Sequence, residues 1–244
     1  MHAEEYRKMA DVEDVMWYYR ALHRNVATAL RGVAPAGAAI LDAGCGTGGL
    51  LRALRREERG WRLAGVDLSP LACELTRERT GALVLEGSVE QMPFGADSYE
   101  AIVSCDVLCQ VVEPARALGE FRRVLKPGGV LVLTLPAFPW MYSYHDRQVG
   151  NLRRYTRGGL ADLLRAAGWR PLAMTYWNML PFPLAVLRRK VFPAREGESD
   201  VHLFSPSVEG GFDAMMRLEH RWIARGHALP FGSSLLAVAR AEPG

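Results

Sequence analysis

Ile40-Leu41-Asp42-Ala43-Gly44-Cys45-Gly46-Thr47-Gly48-Gly49-Leu50 runs from an apolar strand straight into a turn rich in glycine. Glycine at 44, 46, 48 and 49 together suits a backbone that must fold tightly and let a ligand lie against it. Downstream, Leu63-Ala64-Gly65-Val66 ends on Asp67, which reads as a second strand with an acid at its tip. A glycine turn after the first strand and a carboxylate after the second are the two fixed points of a nucleoside-binding α/β sheet. An adenosine-like ligand is expected.

Outward from this stretch, strand and helix alternate. The pattern predicts strands near 38–42, 61–66, 82–86, 99–104 and 129–135, and helices near 48–58, 70–79, 113–124 and 157–167. Ser69-Pro70 is a helix start, and Lys126-Pro127-Gly128-Gly129 turns the fourth helix into the fifth strand. Such alternation means a parallel sheet covered on both faces. Residues 1–32 read as a helical cap. After an aromatic loop over 136–155 come a helix and a strand near 170–177, and a last strand spans 233–240. Residues 178–230 interrupt them with two helical stretches, 182–192 and 207–225. Val208, Phe212, Met215, Leu218 and Trp222 form a stripe on the second. This insertion reads as a lid, with the polar stretch 194–199 as its mobile hinge, and 1–244 as a single domain.

At 244 residues and 49% hydrophobic, the chain can bury one sizeable core, and its net charge of +3 is too small to point to a polyanion partner. The basic clusters at 52–56, 153–157 and 188–190 are short enough to be solvated helix faces. Cys45, Cys73, Cys105 and Cys109 have no zinc spacing, and Val112 stands where an iron–sulfur triplet would need its third cysteine. Free thiols, no metal and a reducing cytoplasm are expected. No stretch has the ~20 apolar residues of a membrane span, and no signal peptide is visible.

Gly44 to Gly49 also satisfies GxGxxG, the dinucleotide signature. Asp42, two residues upstream, argues against it, because a carboxylate there repels a pyrophosphate and welcomes a cation. Here the sequence resembles a known family. Asp42-Ala-Gly-Cys-Gly-Thr-Gly48 is similar to the glycine motif of class I S-adenosylmethionine-dependent methyltransferases, and Gly65-Val-Asp-Leu-Ser69 to their ribose-binding strand end. The runs 86–94 (EGSVEQMPF), 97–108 (DSYEAIVSCDVL) and 121–134 (FRRVLKPGGVLVLT) follow in the family's order, most like its small-molecule, methyltransferase type 11-like subgroup.

The resemblance implies a Rossmann-like, doubly wound seven-stranded sheet of order 3-2-1-4-5-7-6 with the last strand antiparallel. It implies S-adenosylmethionine as cofactor. Gly44, Cys45, Gly46 and Gly48 would lie under its ribose and methionine moiety, Asp42 would face its amino group, Asp67 would hold the ribose hydroxyls and Leu68 would flank the adenine. Ser88, where the family usually has Asp, and Val89 would meet the adenine amino group. Cys105 and Gln110, the latter where the family commonly has His, complete the set.

Methyl transfer from a sulfonium is an in-line displacement in which the protein supplies alignment, desolvation and, for some acceptors, a base. His145 is the only histidine of the aromatic loop and the candidate base, with Asp146, Arg153 and Tyr155 as its catalytic neighbours. Asp146 has a second reading, a brace paired with Arg153 or Arg154. Thr156 reads as a helix N-cap. Tyr18 and Tyr19, with Trp140 and Tyr144, are expected to line a substrate pocket. The expected acceptor is a small, rather apolar molecule. Nucleic acid is not expected, since no Asn/Asp-Pro-Pro-aromatic run follows strand four, and the chain is expected to be a monomer or homodimer. Two rivals stand beside this reading. One is a non-catalytic nucleoside-binding module. The other is a membrane-surface enzyme, in which the apolar and basic residues of 182–192 form an interfacial helix.

Overall fold

A computed structural model describes residues 3–192 and 200–242. The polar stretch 194–199, expected as a hinge, lies outside the described residues. The elements are α1 (Ala3–Val12), α2 (Trp17–Val33), β1 (Ala39–Ala43), α3 (Gly49–Arg55), β2 (Arg62–Asp67), α4 (Pro70–Thr80), β3 (Leu83–Glu86), β4 (Tyr99–Cys105), α5 (Pro114–Val124) and β5 (Leu125–Pro136). They continue with α6 (Tyr144–Val149), α7 (Arg157–Ala166), β6 (Trp169–Trp177), α8 (Phe182–Val186, running on as a π-turn to Val191), α9 (Pro206–Ala224) and β7 (Ser234–Ala241).

The seven strands form one sheet in the order β3-β2-β1-β4-β5-β7-β6, with β7 antiparallel to both of its neighbours. This is the order the resemblance implies. β1 lies inside it, between β2 and β4, with all five residues buried, as a continuous apolar run in a doubly covered sheet requires. Leu41, Ile102 and Leu131 face a core closed by Phe121, Leu118 and Leu160 from α5 and α7. Ile40, Val103 and Val132 face the opposite one, closed by Val26 and Leu30 of α2 and Met216 of α9.

Local signals place the helix ends. The Ser69 side chain accepts the Ala72 N–H at 3.3 Å, and Thr156 accepts the Gly159 N–H at 3.1 Å. Both are N-caps that satisfy donors the first turn leaves free. The fifth strand departs from expectation at its start. Leu125 already pairs with Tyr99, after which the register jumps to Ala101 opposite Val130, so Lys126 to Gly129 form an outward excursion within the strand.

The aromatic loop also differs. It contains a short turn of helix at Pro139–Met141 and the helix α6, and Phe138 and Trp140 pack against each other and against Tyr176 and Phe182. Phe138 stacks on Tyr176 with centroids 5.0 Å apart, and Phe182 meets Phe138 at 5.8 Å and Trp140 at 6.1 Å. Offset and edge contacts of this kind use up the aromatic surface that otherwise needs a ligand.

Candidate functional site

The turn after β1 is held by the end of β2. The N–H groups of Gly44 and Cys45 both donate to the Val66 carbonyl, at 2.8 and 3.0 Å. Gly44 and Gly46 adopt φ of +86° and +54°, a region that disfavours side chains. A Cβ on Gly44 would also run into Val107, and one on Gly46 would lie 2.9 Å from the Met9 methyl group. Gly46 in turn donates its N–H to Asp67 Oδ2 at 2.9 Å. Asp67 Oδ1 accepts the Ser69 N–H at 2.9 Å and the Tyr6 hydroxyl at 3.1 Å.

Behind the turn, Asp42 is 2% exposed. Burial, then the charges of Asp67 and Glu13, push its carboxyl up to about 8. Glu13, from the segment between α1 and α2, accepts the Thr47 hydroxyl at 2.6 Å and pairs with Arg79. Burial raises Glu13 and Asp67 as well. Three carboxyls thus crowd one end of a cavity of about 340 Å³ that opens over the carboxyl ends of β1, β2 and β4. That is where an open α/β sheet binds its ligands.

A fourth acid follows β4. Asp106 has φ of +56°, uncommon for any residue with a side chain. Its Oδ2 accepts the Tyr18 hydroxyl at 3.2 Å, whereas Oδ1 is buried with no partner among the described residues. Burial pushes its carboxyl up to about 6. Ser104 anchors this strand end by donating to the Ala43 carbonyl at 2.8 Å.

On the side of the insertion between β6 and β7, His145 Nδ1 accepts the Asp200 N–H at 3.2 Å. Burial, reinforced by Arg189, lowers its imidazole to about 4. A neutral ring whose Nδ1 is an acceptor carries its proton on Nε2. Nε2–H is then a donor, and the one lone pair able to take a proton is already engaged. In this arrangement His145 presents a donor to the cavity, where the sequence led to the expectation of a base.

Of the residues expected from sequence, Asp42, Gly44, Cys45, Gly46, Asp67, Cys105, Gln110, Tyr18, Tyr19 and His145 line the cavity. The others do not, each for a physical reason. Asp146 is fully buried and binds Arg154 Nε at 2.8 Å, Asn151 Nδ2 at 3.0 Å and the Ser143 N–H at 2.9 Å. It braces the loop through Arg154, the second of its two sequence readings. Arg153 reaches outward to the Val112 carbonyl at 3.1 Å. The Tyr155 hydroxyl donates to the Leu108 carbonyl at 3.0 Å inside the core. Trp140 is 53% exposed on the outer surface, and the Tyr144 hydroxyl is spent on Asp200 at 2.8 Å. Leu68, 72% exposed, lies outside the cavity, as do Gly48, Ser88 and Val89. The Ser88 hydroxyl accepts the Glu90 N–H at 3.1 Å.

Sequence reasoning missed Tyr6, Met9, Glu13 and Asp106, all of which line the cavity. Asp106 carried the signal that found Asp67, an acid just past an apolar strand. Among the described residues, no group of three or more His, Cys, Asp or Glu side chains is placed to hold a metal ion, and no helix is long and apolar enough to cross a membrane.

Comparison with known proteins bears on this geometry. A methyltransferase domain model matches residues 41–133. The malonyl-[acyl-carrier protein] O-methyltransferase of Serratia marcescens is 37% identical over 47% of this chain and 45% of its own length. The demethylmenaquinone methyltransferase of Staphylococcus aureus is 32% identical over 46% of this chain and 52% of its own. The chain therefore spans about half the length of these relatives. A Haloferax volcanii protein described as a methyltransferase, solved in complex with the Trm112 methyltransferase activator, shares the fold at TM-score 0.66. It is 22% identical, with 99% of this chain and 95% of that one covered. Residues 41–133, which hold the glycine turn and Asp67, are therefore similar to a methyltransferase domain, and the seven-strand order is shared with a solved structure described as a methyltransferase.

Proposed function

We propose that this chain binds S-adenosylmethionine over Gly44 to Gly46 and directs its methyl group to a small acceptor in the same cavity. The observation that carries the reading is the acidic end of the cavity, where Asp42, Asp67 and Glu13 are buried together. Ionising carboxyls crowded in a poorly solvated place is costly unless a cation joins them. A ligand with an ammonium and a sulfonium relieves that cost, and a dinucleotide pyrophosphate increases it. The cofactor supplies an already activated methyl group. The chain's own part is to orient and to exclude water. Asp67 accepts ribose hydroxyls, for which the Tyr6 hydroxyl must give way or share Oδ1. Asp42 faces the ammonium, directly or through water. Asp106 and Tyr18 stand where an acceptor's proton can be taken, and His145 Nε2–H donates to the acceptor. The relatives' names give acceptors of unlike chemistry, so the transfer carries over from them and the acceptor does not.

Calorimetric titration with S-adenosylhomocysteine tests the cofactor. A hydrogen bond to a charged group contributes ~1.5–3 kcal/mol, so Asp67→Ala is expected to weaken binding by at least ~10-fold. Tighter binding of NADH than of S-adenosylhomocysteine by the wild type rejects the assignment.

Asp42 gives a second test, with a definite sign. Its folded-state value of about 8 keeps it largely protonated at pH 7 in the free protein. In that state it favours folding below its unfolded value near 4, and this contribution is lost as pH rises toward 8. An arriving ammonium favours the carboxylate, so cofactor binding at pH 7 releases a proton. Titrations in two buffers of different ionisation enthalpy are expected to show close to one proton released at pH 7 and almost none above about pH 9. A buffer-independent enthalpy at pH 7 removes Asp42 from the cofactor site.

A further inference from the structure

The two helices between β6 and β7 are apolar on their outer faces as well as their inner ones. α9 buries Met216 and turns Phe212 and Ile223 toward the domain core, the contact that seats it on α2. Its outer face shows Leu218 and Trp222, 60% and 49% exposed, in line with Val208 and Met215. The stripe seen in the sequence, Phe212 apart, faces away from the protein. α8 and its π-turn do the same with Leu184, Val191 and Phe192, the last 66% exposed. Most of the large apolar side chains that the described residues expose lie between 180 and 231. A concentration of this kind marks an interaction surface.

Charge says which partner fits. Among the described residues of this segment, every acid is engaged on the protein side. Asp213 is buried against Arg20, Arg24 and Arg217, and Glu219 accepts the Leu180 N–H at 2.6 Å. Glu209 accepts the Trp17 and Phe204 N–H groups, and Asp200 holds Arg189. Lys190, Arg221 and Arg225 are exposed beside the outer apolar residues, and Arg188, also exposed, shares Asp200 with Arg189. Among the described residues the surface is therefore leucine, valine, phenylalanine and tryptophan set among cations. This is the composition of a helix face that lies in a lipid interface. A second copy of this chain would bring the same cations face to face.

We infer that the outer face of α8 and α9 docks on an anionic lipid surface, and that the cavity takes its acceptor from there. Leu184, Arg188 and Phe204 line the cavity while being exposed at this surface, so its mouth on that side is bordered by the docking residues. An amphiphilic acceptor dissolved in a bilayer can then enter without crossing water. The statement about the acceptor rests on the methyl-transfer reading; the docking does not.

Sedimentation of the full chain with vesicles of 1:1 phosphatidylglycerol and phosphatidylcholine tests this, against pure phosphatidylcholine and at low and high salt. The wild type is expected to partition onto the anionic vesicles and to be released by salt. Each basic residue near such a surface strengthens binding about fivefold, so Arg221→Gln with Arg225→Gln should weaken it about 25-fold. Leu218→Ser with Trp222→Ser should weaken it at least about tenfold. None of these four residues lines the cavity, so S-adenosylhomocysteine affinity should stay unchanged in both variants. Absence of wild-type binding to anionic vesicles overturns the inference, as does equal binding by either variant. So does a wild-type dimer that Leu218→Ser/Trp222→Ser makes monomeric, since the face then belongs to a second copy. If vesicle binding behaves as expected but no S-adenosylhomocysteine binds, the docking stands and the methyl-transfer reading falls.

Discussion

Asp106→Asn is expected to lower methyl transfer by about 10²–10⁴-fold, the usual contribution of a positioned proton acceptor. Asparagine keeps the shape and can still accept the Tyr18 hydroxyl, so the change removes basicity and little else. Two features single this carboxyl out. It follows β4 at the sheet's carboxyl edge, and its Oδ1 is buried with no partner among the described residues. Burial holds the group at about 6, so it is ionised at neutral pH yet more basic than an ordinary aspartate. Turnover should therefore rise with pH through about 6 and level off, and the asparagine variant should lack that limb. S-adenosylhomocysteine affinity should change little. His145→Ala serves as the control: with its proton on Nε2 and Nδ1 occupied, it should lose less and keep the limb. Labelled-methyl transfer to an acceptor drawn from a panel of amines, phenols and quinols measures all of this. Near-normal turnover of Asp106→Asn at pH 7, or an unchanged limb, sinks the assignment and favours an acceptor nucleophilic without help.

The parts of this site legible in the sequence were those whose cause is local. Glycines 44, 46 and 48 take the left-handed backbone that glycine adopts without a steric cost, and Ser69 caps a helix with its own side chain. Asp67 ends a strand, and a strand end needs no distant information to be recognised. The residues that were missed depend on contacts far apart in the chain. Tyr6 meets Asp67 across 61 positions, and Glu13 meets Thr47 across 34. Nothing in M-H-A-E-E-Y-R-K says that this helix will cross the glycine turn. The aromatic loop misled for a related reason. Density of rings is the same in a sequence whether they meet a ligand or each other, and here Phe138, Trp140, Tyr176 and Phe182 meet each other. The stripe on α9 was correct in period and incomplete in direction, because periodicity finds a face without saying what that face sees.

Asp146 shows how a residue can matter to a site without touching it, and its loss should be felt in stability. It is fully buried, and its two oxygens accept from Arg154, Asn151 and the N-cap backbone of α6. Burial by itself raises its carboxyl, but Arg154, Asn151 and the neighbouring His145 outweigh that and hold it below its ordinary value. Removing one partner of such a pair strands the other: Arg154, 6% exposed, keeps its charge and its bond to the Ala137 carbonyl but loses its ion pair. The cost of breaking a buried pair is about 3–5 kcal/mol. For a domain of this size Asp146→Ala should then lower the midpoint of thermal unfolding by ~6–20 °C at pH 7. The sign of the pH dependence follows from the depressed value. The stabilisation is complete above the unfolded-state value near 4 and is lost as pH falls through the folded one. Wild type and variant should therefore converge in strongly acidic solution. Asn151 and Arg154 both line the cavity, so the variant should also loosen the wall they form, while Asp42 and Asp67, fixed by β1 and β2, should stay in place and leave S-adenosylhomocysteine affinity little changed. Circular dichroism melts and S-adenosylhomocysteine titration below the melting range separate the two effects. A midpoint within ~2 °C of wild type at pH 7 shows that Arg154 finds another partner, and that Asp146 is not what holds this loop.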